Sequence, residues 1–297
     1  MDEAGGKWRM VAAMAISGTI GVFVVGSGQS PLTVVLLRCL IGAAALLGWL
    51  YRGNGWRPVN LHAAKWIALG AAALIGNWLC LFAAFSLAGI SIATVVYHVQ
   101  PFILVMLAAL VQREPFERRK LPWLLVAFAG VAFTTGIDTG SGQAGMAAGV
   151  LLALAAAFLY ALATLATRKL TAYAPAQIAG LQLALGSLVL APMASIDAHA
   201  ISPAQWTCLA VVGLVHTGLV YNLMYGAFQR LRAETIAGLS FIYPLVAMLA
   251  DYALFDTRLG LGQWAGVGMI LLSLAGSQTR LFARIRPGPS GCPDSAA

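Results

Sequence analysis

Charged side chains are scarce in this chain: aspartate, glutamate, lysine and arginine together make up 9% of 297 residues, against 60% hydrophobic. Soluble domains carry about a quarter charged residues, so a soluble fold is excluded and an all-α integral membrane protein is expected. Cysteine is nearly missing too, with four residues. Cys39, Cys80 and Cys208 fall inside apolar runs and Cys292 in the tail, a distribution that suggests neither a disulfide framework nor a metal site and reads as small apolar filling. No cofactor is expected. Neither an H-E-x-x-H motif nor a P-loop occurs, which leaves zinc proteolysis and ATP-driven pumping without a basis. Ser17, Ser187 and Ser240 lie in no hydrolase motif, so an enzyme is not expected. The first apolar run, Met10 to Val25, continues into further spans and has no small-residue cleavage site, so no removable signal peptide is read.

What is present is length. A helix of about twenty residues crosses a bilayer core, and ten runs qualify as candidate spans: 8–26, 31–51, 65–87, 91–112, 121–137, 146–167, 175–195, 205–229, 234–255 and 261–279. With the N-terminus in the cytoplasm, sixteen lysines and arginines fall on that side, Arg258 lies in an outer loop and Arg38 within a span. The positive-inside rule then places both termini in the cytoplasm. The net charge of +8 orients the chain in lipid and implies no nucleic acid. The Pro, Gly and Ser rich tail, 283–297, reads as disordered.

Two of these runs are unusual. Ser91 to Glu114, SIATVVYHVQPFILVMLAALVQRE, carries Pro101, which frees a carbonyl near Tyr97, and His98 and Gln100, which lipid would penalise. Such a helix should face protein or a water-filled cavity. Thr235 to Asp256 repeats the pattern around Pro244, again with an acid at its end. The correspondence extends along the chain. Pro31 and Pro175 are 144 apart, while Trp78 and Tyr221, Phe82 and Tyr225, Phe85 and Phe228, and Pro101 and Pro244 are each 143 apart. Five spans per half is an odd number, so the halves, 1–140 and 141–282, are expected to be inverted repeats, the architecture of alternating-access transporters.

Two five-helix halves, each with a proline in its fourth helix and an acid just after it (Pro101 with Glu114, Pro244 with Asp256), resemble the EamA type of the drug/metabolite transporter superfamily over about residues 8–280. Within it the chain is most similar to bacterial amino-acid exporters of the YddG kind. The resemblance implies export across the cell inner membrane through a central cavity lined mainly by helices one, three, four, six, eight and nine. The first helix lacks the membrane carboxylate of the small multidrug type. Arg38 as the one cavity cation fits poorly with sugar-phosphate exchange. Exporters of drugs or other metabolites, and a scaffold or receptor without flux, are the alternatives.

For an amino-acid substrate the candidate binding residues are Trp78, Phe82, Thr94, Tyr97, His98, Gln100, Tyr221, Asn222, Tyr225, Ser240 and Tyr243. Trp78, Phe82 and Ser86 form one helical stripe and Tyr221, Tyr225 and Gln229 its mate, read either as cavity wall or as packing. Asn77 and Asn222 beside them could meet substrate or another helix. An ammonium needs acceptors and a carboxylate needs donors, which freed carbonyls, imidazole, phenol and amide supply. Pro101 and Pro244 are candidate hinges. Arg38 and Asp251, at comparable depth, form a candidate outer gate unless Arg38 snorkels. His216 reads as an interhelical hydrogen-bond partner. Gly262 and Gly266 could support helix contacts or a weak homodimer; otherwise the chain is a monomer in membrane lipid.

Overall fold

In lipid every backbone N–H and C=O must be satisfied inside the protein, which a helix does within its own segment, and each of the ten apolar runs carries helix. The computed structural model describes residues 3–53, 55–88, 90–115, 117–135, 145–194, 196, 201–254 and 260–278. The tail 283–297, Asp256 and the side chain of Asp251 lie outside the described residues.

In chain order the helices are α1 (Glu3–Ser27), α2 (Pro31–Arg52) and α3 (Leu61–Ala88). Next come α4, in two segments (Ile90–Tyr97 and Gln100–Val111), α5 (Leu121–Thr135), α6 (Met146–Arg168) and α7 (Pro175–Leu190). Last are α8 (Pro203–Phe228), α9, again in two segments (Ala233–Ser240 and Ile242–Leu254), and α10 (Leu261–Gln278). Among the described residues, eight of these regions are long and apolar enough to cross a membrane. The exceptions to the ten expected spans are α5, with 15 residues, and α10, whose apolar stretch is Leu261–Gly276. Local chemistry sets the starts. Ser30 precedes Pro31 and its hydroxyl accepts from the Thr33 N–H at 3.3 Å, while Ser202 and Gln205 close a capping box at α8.

The main helix pairings keep their pattern when the two halves are exchanged, whereas α7 also packs on α8 with no comparable contact between α2 and α3. α3 packs on α6 as α8 packs on α1, α4 on α6 as α9 on α1, and α2 on α7, α4 on α9 and α5 on α10 are self-matched. Small residues make the close crossings. A Cβ on Gly130 would meet the Gly266 carbonyl at 2.8 Å, so Gly266 serves the α5–α10 contact within the chain, whereas a Cβ on Gly262 would meet nothing within 4 Å. The main apolar cluster joins α1, α2, α3, α4, α6, α7, α8 and α9, and a second joins α4, α5, α9 and α10.

The ion pairs of the described residues all lie on the face that holds the start of α1 and the ends of α4, α6 and α8. The chain leaves α4 through Arg113 in the left-handed region, φ 54°, and the Glu114 N–H returns to the Ala108 carbonyl at 3.2 Å. That turn aims the Glu114 carboxylate at Arg168 of α6 and at the Ala233 N–H, 3.1 Å away at the start of α9. Arg168 also donates to Gln112 and to the Leu231 carbonyl. Arg232 donates to Glu117 at 2.7 Å, and buried Glu234 accepts from Lys120 at 3.1 Å. The connection between α4 and α5 is thereby stitched to the one between α8 and α9.

Candidate functional site

Pro101 has no N–H to give the Tyr97 carbonyl, and α4 breaks there: its first segment ends at Tyr97 and its second starts at Gln100. The His98 N–H is shared between the Thr94 and Val95 carbonyls, both at 3.1 Å. The ring of His98 turns back so that Nδ1 lies 2.7 Å from the Thr94 carbonyl oxygen. A carbonyl only accepts, so Nδ1 carries the hydrogen and Nε2 is left to accept in the neutral ring. α9 breaks at Phe241, ahead of Pro244. The Ser240 hydroxyl donates to the Ala237 carbonyl at 2.7 Å, inside its own helix.

The two breaks face one another. His98 stacks on Tyr243 at 6.5 Å and lies 6.3 Å from Phe241, its own counterpart by sequence offset. Tyr97 meets Tyr160 of α6 edge to face at 6.2 Å, and its hydroxyl accepts from the Asn77 amide at 3.3 Å. Asn77 also donates to the Ala156 carbonyl at 2.8 Å, so it ties α3 to α6 while holding Tyr97. Trp78 and Tyr221, predicted as mates, meet edge to face at 6.4 Å. The stripes then diverge. Buried Tyr225 donates to Gln182 of α7 and belongs to packing; half-buried Phe82 lies on Phe85. Gln229 donates to the Leu170 and Tyr173 carbonyls at 3.0 and 3.1 Å, a tether at the end of α6. Asn222 and Thr94 are half-buried, and Gln100 and Pro101 are buried at the head of the second α4 segment.

Arg38 bonds where depth arithmetic does not predict. Its Nε donates to the Thr217 hydroxyl at 3.0 Å, and its guanidinium carbon lies 5.0 Å from the Trp78 ring centroid. The expected partner, Asp251, has its side chain outside the described residues. Thr217 belongs to a π-helical turn, Leu214–Leu219, in the middle of α8. On that wide turn Thr217 donates to the carbonyl five residues back, Val212, at 2.8 Å, where threonines on α-helices reach four back, as Thr164 does to Tyr160. His216, on the same turn, has Nε2 3.0 Å from the Thr19 hydroxyl, at the interruption of α1, and its ring lies 5.1 Å from Phe23. His216 is thus the interhelical partner the sequence suggested.

Tyr160, Thr217 and Thr19 were not singled out in the sequence. Tyr160 carries the one signal that could have done so, a phenol mid-span that needs a partner; Tyr160 meets that need with the Met224 sulfur at 3.3 Å. Side chains from α1, α2, α3, α4, α6, α8 and α9 therefore converge on one layer. It holds a guanidinium, an imidazole acceptor and five phenol or indole rings, namely Trp78, Tyr97, Tyr160, Tyr221 and Tyr243. No carboxylate among the described residues is within it.

The model of the EamA-like transporter family matches this chain twice, over residues 6–136 and 147–278. An uncharacterized transporter of Bacillus subtilis (strain 168) is 29% identical over 272 residues, covering 90% of this chain and 87% of that protein. A protein of Salmonella typhimurium called "Probable amino-acid metabolite efflux pump" is 27% identical over 211 residues, 65% of this chain and 70% of its own length. A crystal structure superposes with a TM-score of 0.80 at 19% identity, covering 93% of this chain and 96% of that one, a likeness of fold.

Proposed function

The chain belongs to the EamA-like transporter family, and from that membership we propose that it is a secondary exporter of amino acids and related metabolites. The two halves rock against each other as inverted repeats and expose the central layer to each side of the bacterial inner membrane in turn. Two family matches, one per half, and main helix pairings that keep their pattern on exchanging the halves support the repeat. In this reading α5 and α10, packed along each other, complete ten crossings, and the basic face is cytoplasmic.

The observation that carries the substrate class is the mid-membrane layer of aromatic rings with His98 Nε2 open to accept. Apolar rings take varied side chains, and no carboxylate of the described residues lies in the layer to select a cation. Facing proline breaks supply backbone acceptors at the same depth. The aromatic contacts Trp78–Tyr221 and Tyr97–Tyr160 close the layer, so a substrate has to part them.

Counterflow in proteoliposomes preloaded with unlabelled amino acids tests this. Labelled phenylalanine, methionine or threonine is expected to accumulate, and Trp78→Ala or Tyr97→Ala, at unchanged expression, to lower the rate about tenfold or more through lost ring contacts. No accumulation of any amino acid by folded protein would sink the amino-acid reading and move the search to drugs and other metabolites, leaving membership of the family untouched.

A further inference from the structure

In the ten spans read from the sequence Arg38 is the one lysine or arginine away from an end, and a cation at that depth is costly unless something uses it. The lysines and arginines in ion pairs, among the described residues, are at the basic face. Arg38 has no carboxylate partner among the described residues, and the fold holds its guanidinium from two directions.

The hold begins one turn below it. At Gly42 a Cβ would meet the Thr217 methyl at 2.8 Å, and at Gly213 a Cβ would meet the Ile41 Cβ at 2.5 Å. Two glycines facing opposite helices let α2 and α8 touch backbone to side chain. That contact, together with the π-turn, brings the Thr217 hydroxyl under Nε. Its proton goes to the Val212 carbonyl, so the oxygen is oriented to accept from Arg38. Trp78 covers the guanidinium at 5.0 Å. With Nε taken and Trp78 beneath, the two terminal nitrogens form a fork beside Trp78 and Tyr221, and the residue is half-buried.

We infer that this fork is the carboxylate-binding end of the central site. The ligand class is a monocarboxylate with an apolar body, its two oxygens taken bidentately by the Arg38 Nη atoms and its apolar part lying against Trp78 and Tyr221. One guanidinium balances one carboxylate, and the fork matches its planar oxygens; a phosphate dianion would call for more cations than the layer holds. The inference rests on the transport reading, to which it adds α2 as a wall of the site and Thr217 as a positioning residue.

The test is equilibrium binding and counterflow with three probes: phenylalanine, phenylpropanoate, which lacks the ammonium, and phenethylamine, which lacks the carboxylate. Wild type is expected to bind both carboxylates and Arg38→Met to bind each about tenfold or more weakly, the loss of a charge-assisted pair. Arg38→Lys, which keeps charge without the fork, should recover part of the affinity. Thr217→Val should raise KM for phenylalanine with kcat retained. Wild-type affinity in folded Arg38→Met would overturn the inference and leave transport standing. Binding of phenylpropanoate but not phenylalanine by wild type, lost in Arg38→Met, would overturn amino acids as substrates and keep the carboxylate site. Wild type that binds neither carboxylate overturns both. If Arg38→Met does not fold, unchanged affinity in both Arg38→Lys and Thr217→Val overturns the inference.

Discussion

Glu114→Ala is expected to destabilise the protein by ~2 kcal/mol and to speed amide exchange at Ala233. The carboxylate serves two segments at once, the Arg168 guanidinium of α6 and the Ala233 N–H that opens α9. Removing one partner of a buried pair costs ~3–5 kcal/mol because the other charge is stranded. Here the side chains are 11% and 22% exposed, and water reaching them reduces that to the lower figure. Arg168→Met should cost a similar amount, and the double variant less than the sum, since it strands neither charge. Strictly additive losses would remove the coupling. Under the transport reading, opening the basic face must draw the end of α4 away from α6 and α9, so the same variant favours the state open on that side. Neighbouring Glu117 contributes with a defined pH sign. Its hydrogen bond to Lys120, then the charges of Lys120 and Arg232, hold its carboxyl below the ordinary value of 4.5. The stabilisation is therefore complete above that value and is lost as pH falls through the depressed one. Glu117→Gln should differ from wild type at neutral pH and converge with it on acidification.

Gly149→Leu is expected to give no monodisperse protein, and Gly149→Ala to cost ~1–3 kcal/mol by overpacking. The crossing of α3 and α6 is among the tightest in the molecule. A Cβ on Gly149 would stand 2.6 Å from the Ala88 Cβ and 2.7 Å from the Ala88 nitrogen. Neither atom can move by changing rotamer, so the helices themselves must separate. Nearby Ala84, Ala93 and Ala153 are fully buried and transmit the displacement. Because Asn77 bridges the same helices to Tyr97, the alanine variant should also weaken substrate binding. Gly262→Ala, which meets nothing within 4 Å, is the matched control. A wild-type melting temperature for Gly149→Ala would contradict the packing account.

The broken helices were legible because proline acts locally: Pro101 and Pro244 each remove one N–H, and the consequence is confined to the preceding turn. Spacing likewise put Trp78 and Phe82 on one face. It could not say which neighbour each position of a stripe would meet, and Tyr225 turns to Gln182 of α7 while Tyr221, one turn away, meets Trp78. Arg38 and Asp251 were matched by depth alone. Depth does not fix which helix face meets which, and Gly42 with Gly213 brings the Thr217 hydroxyl to Arg38, a contact that depth does not predict. The count of ten spans was read from apolar runs, which mark preference for lipid; among the described residues eight of the ten carry a helix of spanning length, with 15 residues in α5 and Leu261–Gly276 in α10. Nothing in LVHTGL (214–219) departs from ordinary helical composition, so the π-turn had no local signature.

That π-turn makes α8 tolerant of a change that other spans would not accept. A π-turn closes its hydrogen bond one residue later than an α-turn, so this span holds one surplus residue. Deleting a residue elsewhere in a span rotates everything beyond it by ~100° and would turn Tyr221 and Tyr225 out of their contacts. Deleting one within Leu214–Leu219 instead lets the turn relax to α geometry and leaves both flanking segments in register. The length of α8 is therefore adjustable at the π-turn, beside the guanidinium, and a single-codon deletion there would remove the Arg38 cradle while keeping Tyr221 and Tyr225 in register.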